Sequence, residues 1–103
     1  MRNRLWLIVD RVKEIGFTDR SSLTKLYFLN QQANLAVWAM YHKTHEIKQS
    51  WIRESDIQSL FDLNRRNFLM VFKGRPEDME AGFNKVKQNL IYGLKFIISL
   101  SEG

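Results

Sequence analysis

The feature that most constrains the fold is a seam of seven apolar or small residues near the C-terminus, spaced alternately by four and three positions. Steps of four and three keep side chains on one side of an α-helix, whereas a half-buried strand alternates with period two. Pro76 suits the first turn of a helix, so the seam predicts a long helix over residues 76–100. The seam consists of Met79, Phe83, Val86, Leu90, Gly93, Ile97 and Leu100.

Helical spacing of apolar residues recurs through the rest of the chain, and strand-like alternation is absent. The pattern predicts three further helices over residues 3–15, 22–48 and 55–73. Helices joined by short connections favour an all-α, four-helix, up-and-down bundle. We expect two long helices, the second and fourth, with the two shorter helices packed across their faces. Residues 1–103 then form one domain.

Composition sets the class of protein. The chain has no cysteine, which excludes disulfides and thiol catalysis and favours a reducing compartment, so we expect a cytoplasmic protein. The apolar run over residues 5–9 is too short for an export signal. A second run over residues 90–100 is interrupted by Lys95 and falls short of a membrane span. We therefore expect no membrane anchor.

One short segment has the residue types of a metal site. His42, His45 and Glu46 would lie within about one turn of the second predicted helix. At this spacing their side chains could bind one zinc or iron ion together. The alternative is that polar side chains simply end the helix and stabilise its negative pole. Glycine-rich phosphate loops and nucleophilic triads are absent from the sequence. We favour a non-enzymatic protein without a cofactor, with a metal-dependent enzyme as the weakest hypothesis.

The charge distribution offers a second hypothesis. The net charge is +5, and the first 53 residues carry nine basic and four acidic side chains, whereas the remainder carries seven of each. A basic half is typical of nucleic-acid-binding proteins, although Asp10, Glu14 and Asp19 interrupt this one. The candidate phosphate-binding residues are Arg2, Arg4, Arg11, Arg20, Lys25, Arg65 and Arg66.

The second predicted helix carries more apolar surface than one core needs. No charged residue occurs from position 29 to position 41, and Phe28, Leu35 and Trp38 form a stripe opposite the core-facing residues. A helix that is apolar on two sides is central in its fold or shared with another subunit. We expect a homodimer with Trp38 near its two-fold axis, or a helical protein partner. The predicted interface residues are Trp6, Leu7, Phe28, Leu35, Trp38 and Trp51, and Ile91 and Ile98 are also predicted to lie outside the core.

Overall fold

A computed structural model describes residues 3–102 of the chain. Within this range the fold is all α-helical and no strand occurs, as the periodicity predicts. The two longest helices are the second and the fourth, with 23 and 24 residues, and the first and third have 11 and 20. The elements are α1 (Arg4–Glu14), α2 (Arg20–His42), α3 (Glu54–Lys73), a 3₁₀ turn (Pro76–Asp78) and α4 (Met79–Glu102).

Hydrogen bonds between helix ends show that two pairs of neighbouring helices run antiparallel. The Asn3 side chain, which caps α1, donates to Ser101 near the end of α4 at 2.6 Å. Arg20 at the start of α2 donates to the backbone carbonyl of Phe72 near the end of α3 at 2.9 Å. Since the start of one helix meets the end of its neighbour in both cases, these pairs are antiparallel.

The two longest helices touch each other along the middle of the bundle. α2 and α4 are in contact, and each of them also packs against both α1 and α3. This arrangement flattens the bundle to Cα dimensions of 43 × 28 × 17 Å. The outer sides of α2 and α4 therefore lie on opposite broad faces. The side chains buried between the helices include Leu5, Val9, Val12, Leu23, Leu26, Val37, Ile57, Phe68, Phe83, Leu90 and Ile97.

The prediction that α2 continues to residue 48 is wrong, because the helix ends at His42. The chain turns at His45, whose φ of 53° lies in the left-handed region. The amide of Ile47 then donates to the carbonyl of Met40 at 3.1 Å. Ile47 is fully buried and Ile52 is 9% exposed, so this connection covers the end of the core. No glycine or proline prevents the helix from continuing here. The burial of these two side chains stabilises the turn more than a longer helix would.

Asp19 fixes the beginning of α2 as its N-cap residue. Its carboxylate accepts a hydrogen bond from the backbone amide of Ser21 at 2.8 Å, and the Ser22 hydroxyl completes a capping box. Hydrogen bonds from the Ser21 side chain and backbone hold the pKa of the Asp19 carboxyl below its usual value. The polar contacts of Asp19 and Ser22 thereby fix where α2 begins.

A buried polar pair connects α2 to α3. The Asn64 amide donates to the Asn30 side-chain oxygen at 3.3 Å, and both residues are almost fully buried. Replacing Asn30 by Ala leaves the Asn64 amide without this acceptor, so we expect the free energy of unfolding to fall by about 1–3 kcal/mol. Urea denaturation monitored by circular dichroism measures this loss.

The doubly substituted variant is the control for this prediction. With both Asn30 and Asn64 replaced by Leu, no amide is left without a partner, and we expect a smaller loss than the sum of the losses in the single Asn30→Leu and Asn64→Leu variants. A double variant that loses as much stability as the two single Leu variants together would show that the hydrogen bond contributes nothing specific.

Candidate interaction surfaces

Two large apolar side chains project from the outer side of α2. Phe28 is 61% exposed and Leu35 is 73% exposed. They lie seven residues apart, close to two full helical turns, so they share one side of the helix. Gln31 and Gln32, which lie between them, are exposed and uncharged. The outer surface of α2 is therefore an apolar stripe without formal charge in this region.

An open groove of about 400 Å³ runs beside this stripe, between α1 and α2. Arg11, Glu14 and Lys25 line it, and none of the three forms a salt bridge within the described residues. Leu7 is 53% exposed and shares a side of α1 with Arg11 and Glu14, four and seven residues further along. We call Leu7, Phe28, Leu35 and this groove the α1–α2 face. The groove is lined by Arg11, Glu14, Ile15, Lys25, Phe28 and Leu29.

The three tryptophans predicted for the interface lie in different surroundings. Trp6 and Trp38 are half-buried and pack against the core. The Trp38 ring stacks on His42 with a centroid separation of 5.3 Å and an angle of 7° between the planes. Trp51 lies in the connection between α2 and α3, where the Lys48 ammonium is 4.6 Å from its ring centroid. Phe28 and Leu35 are more exposed than any of these tryptophans.

Ile91 and Ile98 lie in the core, so the prediction that they are surface residues is wrong. Their exposed fractions are 5% and 2%. α4 contacts all three other helices, and for this reason it buries residues beside its seam as well as the seam itself. The exposed apolar residues of α4 are instead Tyr92 and Phe96, at 68% and 56%.

A second apolar surface, absent from the sequence-based prediction, lies on the outer side of α3. Leu63 is 51% exposed and Met70 is 71% exposed. Their separation of seven residues is the same as that between Phe28 and Leu35, and this repeated spacing is the signal that identifies them.

The basic residues proposed for nucleic-acid binding do not form one continuous patch. Arg4 forms a 3.0 Å salt bridge with Glu46, and Arg20 lies over the Phe72 ring at 4.9 Å. Arg11 and Lys25 line the groove of the α1–α2 face, and Arg65 and Arg66 lie with Asp62 in a separate shallow concavity on α3. Arg2 lies outside the described residues.

The helical spacing proposed for a metal site is not formed, because α2 ends at His42. The His42 Nε2 atom lies 3.0 Å from a carboxylate oxygen of Glu54, whereas Glu46 pairs with Arg4. His45 occupies the turn beyond the helix. Among residues 3–101, whose side chains the structure describes, no three histidine, aspartate or glutamate residues are grouped closely enough to hold a metal ion.

Comparisons with known proteins give no relative from which a role can be transferred. No family model matches the chain, and neither a curated protein nor a solved structure matches it. Between residues 3 and 102, none of the helices has the length and apolar character needed to cross a bilayer.

Proposed function

We propose that this chain is a non-enzymatic helical bundle that acts through protein–protein contact as a homodimer, with the α1–α2 face as its interface. The observation that carries the proposal is the exposure of Phe28 and Leu35, at 61% and 73%, beside a groove on the same face. Large apolar side chains grouped on one surface are typical of interaction sites. The absence of cysteine supports a cytosolic location for such an assembly.

The charges along the groove favour a second copy of the chain as the partner. In a two-fold dimer the same surface patch is presented by both subunits, so charged groups in that patch find partners of opposite sign only if the patch carries both signs. Glu14 on α1 and Lys25 on α2 are opposite in sign, line the same groove and form no salt bridge within the described chain. Two reciprocal Glu14–Lys25 pairs across the two-fold axis would give each of these groups, in both subunits, a partner of opposite charge.

The nucleic-acid hypothesis has less support from the same surface. Arg4 and Arg20 already have partners within the chain. The remaining described candidates are divided between the α1–α2 face and a separate position on α3. A phosphate backbone would need cations arranged along one continuous track.

Charge reversal at Glu14 and Lys25 tests the dimer. Glu14→Lys alone places like charges in both reciprocal contacts, and we expect it to raise the dimer dissociation constant about five- to tenfold. Adding Lys25→Glu restores opposite signs and should recover most of the lost affinity. Sedimentation equilibrium at low and high salt measures these constants, and the differences should shrink at high salt.

Glu80→Lys is the matched control, because Glu80 is an exposed carboxylate on α4 that forms no salt bridge in the described chain. We expect it to leave the dissociation constant within twofold. If Glu80→Lys raised the dissociation constant as much as Glu14→Lys does, the effect would come from the change in net charge and not from a specific contact. A wild-type protein that stays monomeric at several hundred micromolar would overturn the proposal.

A further inference from the structure

The outer groove between α3 and α4 is formed by unusually close packing of the two helices. A Cβ atom added to Gly82 would lie 2.8 Å from a methyl carbon of Val71, and one added to Gly93 would lie 3.3 Å from a methyl carbon of Leu60. The first distance is too short for a Cβ atom unless Val71 moves, and the second is tight enough that the Leu60 side chain would have to shift. The contacts also fix the register, since Val71 faces Gly82 and Leu60 faces Gly93 along antiparallel helices.

Exposed apolar side chains follow this groove along its length. Leu63 and Met70 lie on its α3 side, and Phe96 lies on its α4 side, one helical turn beyond Gly93. In the antiparallel register, Phe96 lies at the level of Ile57. The apolar stripe from that level to Met70 is about 20 Å long at 1.5 Å per residue. A helix of about 13 residues has the same length.

Two small concavities lie on either side of Met70. One has a volume of about 100 Å³ and includes Asn67, Lys85 and Asn89 in its lining. The other has a volume of about 210 Å³ and includes Gly74 and Arg75. Met70 is 71% exposed, and an unbranched methionine side chain can adapt to apolar groups that enter beside it.

The unpaired charge in the middle of the groove is basic. Lys85 lines the smaller concavity, whereas Arg66 lies with Arg65 and Asp62 in the separate concavity on the outer side of α3. Lys85 forms no salt bridge in the described chain. The acidic groups toward the two ends of the groove are paired with arginines: Asp56 with Arg53, and Glu77 and Asp78 with Arg75.

We infer that the α3–α4 groove binds an amphipathic helix from a second protein, which places acidic side chains opposite Lys85. Apolar residues at helical spacing on that partner would cover Leu63, Met70 and Phe96. A second copy of this chain fits less well, because the same groove on that copy would present a second Lys85 and no unpaired acidic group to face it. This partner site lies on the broad face opposite Phe28 and Leu35, so it is compatible with the proposed dimer.

Selection from a displayed library of 14-residue helical peptides tests this inference directly. The library keeps apolar residues at helical spacing and randomises the flanking positions among Glu, Lys and Gln. We expect enriched peptides to carry Glu at the flanks and to lose at least tenfold in affinity for the Met70→Glu and Lys85→Glu variants. Fluorescence anisotropy with the full chain measures the affinities.

Leu35→Glu is the matched control, because Leu35 and Met70 are similarly exposed, at 73% and 71%, on opposite broad faces. Peptide affinity should stay within twofold of wild type in this variant. Met70→Ala, which adds no charge, should weaken binding in the same direction as Met70→Glu, and helical circular dichroism verifies that each variant is folded.

Three results would each overturn the inference. They are a selection that enriches no helical peptide, enrichment of lysine-flanked peptides, and binding that is insensitive to Met70→Glu. Sedimentation of Met70→Glu without peptide separates this inference from the proposed dimer. If Met70→Glu dissociates the dimer and Leu35→Glu does not, the α3–α4 groove is the contact between copies, and the inference is overturned in that case too. If Leu35→Glu dissociates the dimer and Met70→Glu does not, the partner site is unaffected.

Discussion

Replacing Phe83 by Ala is expected to lower the free energy of unfolding by about 3–5 kcal/mol. Phe83 is fully buried on α4, and its ring lies 5.6 Å from the Phe17 ring at an angle of 58°. Truncation removes this aromatic pair and leaves a cavity that helices packed on three sides cannot readily fill. Urea denaturation followed by circular dichroism and tryptophan fluorescence measures the change.

Phe96→Ala on the same helix is the matched control. Phe96 is 56% exposed, so its truncation removes little buried surface, and we expect a loss below about 1 kcal/mol. The comparison keeps residue type and helix constant and varies only burial. Similar losses at the two positions would contradict the assignment of the seam to the core.

The seam of α4 could be predicted from the sequence because its periodicity is a local property. Phe83, Leu90 and Ile97 are all buried as their spacing indicates. Ile91 and Ile98 were not predicted to be buried, because a single periodic stripe does not reveal how many neighbours a helix has. α4 contacts three helices, and the width of its buried surface follows from that arrangement.

The end of α2 could not be predicted from local signals. The sequence from His42 to Ile47 contains neither glycine nor proline, and its residues are compatible with a helix. The helix nevertheless ends because Ile47 and Ile52 become buried, and because the Tyr41 hydroxyl donates to the Ile52 carbonyl at 3.0 Å. These are tertiary contacts, which override a weak local preference for helix.

The candidate interface could be predicted only in part, for a geometric reason. An α-helix turns by about 100° per residue, so Leu35 lies almost directly in line with Phe28, whereas Trp38 is rotated by about 60° from Leu35 and about 80° from Phe28. That rotation brings Trp38 toward the α3 side, where it stacks on His42, and His42 pairs with Glu54. The exposure of Phe28 and Leu35 agrees with the apolar stripe, and their role in an interface stays a prediction.

Replacing Phe28 by Lys and Leu35 by Glu together is expected to convert the proposed dimer into a folded monomer. Both side chains are mostly exposed within one chain, so the substitutions leave the core intact. In the dimer they would bury two charges per subunit in an apolar contact, which we expect to weaken association at least about 100-fold, or about 2.7 kcal/mol. Sedimentation equilibrium measures the mass, and circular dichroism measures the retained helix.

The matched control introduces the same charges at Leu63 and Met70, as Leu63→Lys with Met70→Glu. This pair has the same seven-residue spacing, is exposed by 51% and 71%, and lies on α3 outside the α1–α2 face. We expect it to remain dimeric at the concentrations where the α2 variant is monomeric. The dimer interface is misplaced if the α3 pair dissociates the protein and the α2 pair does not. Unfolding of the α2 variant would instead mean that Phe28 and Leu35 support the monomer itself, because charges on a free surface cost little stability.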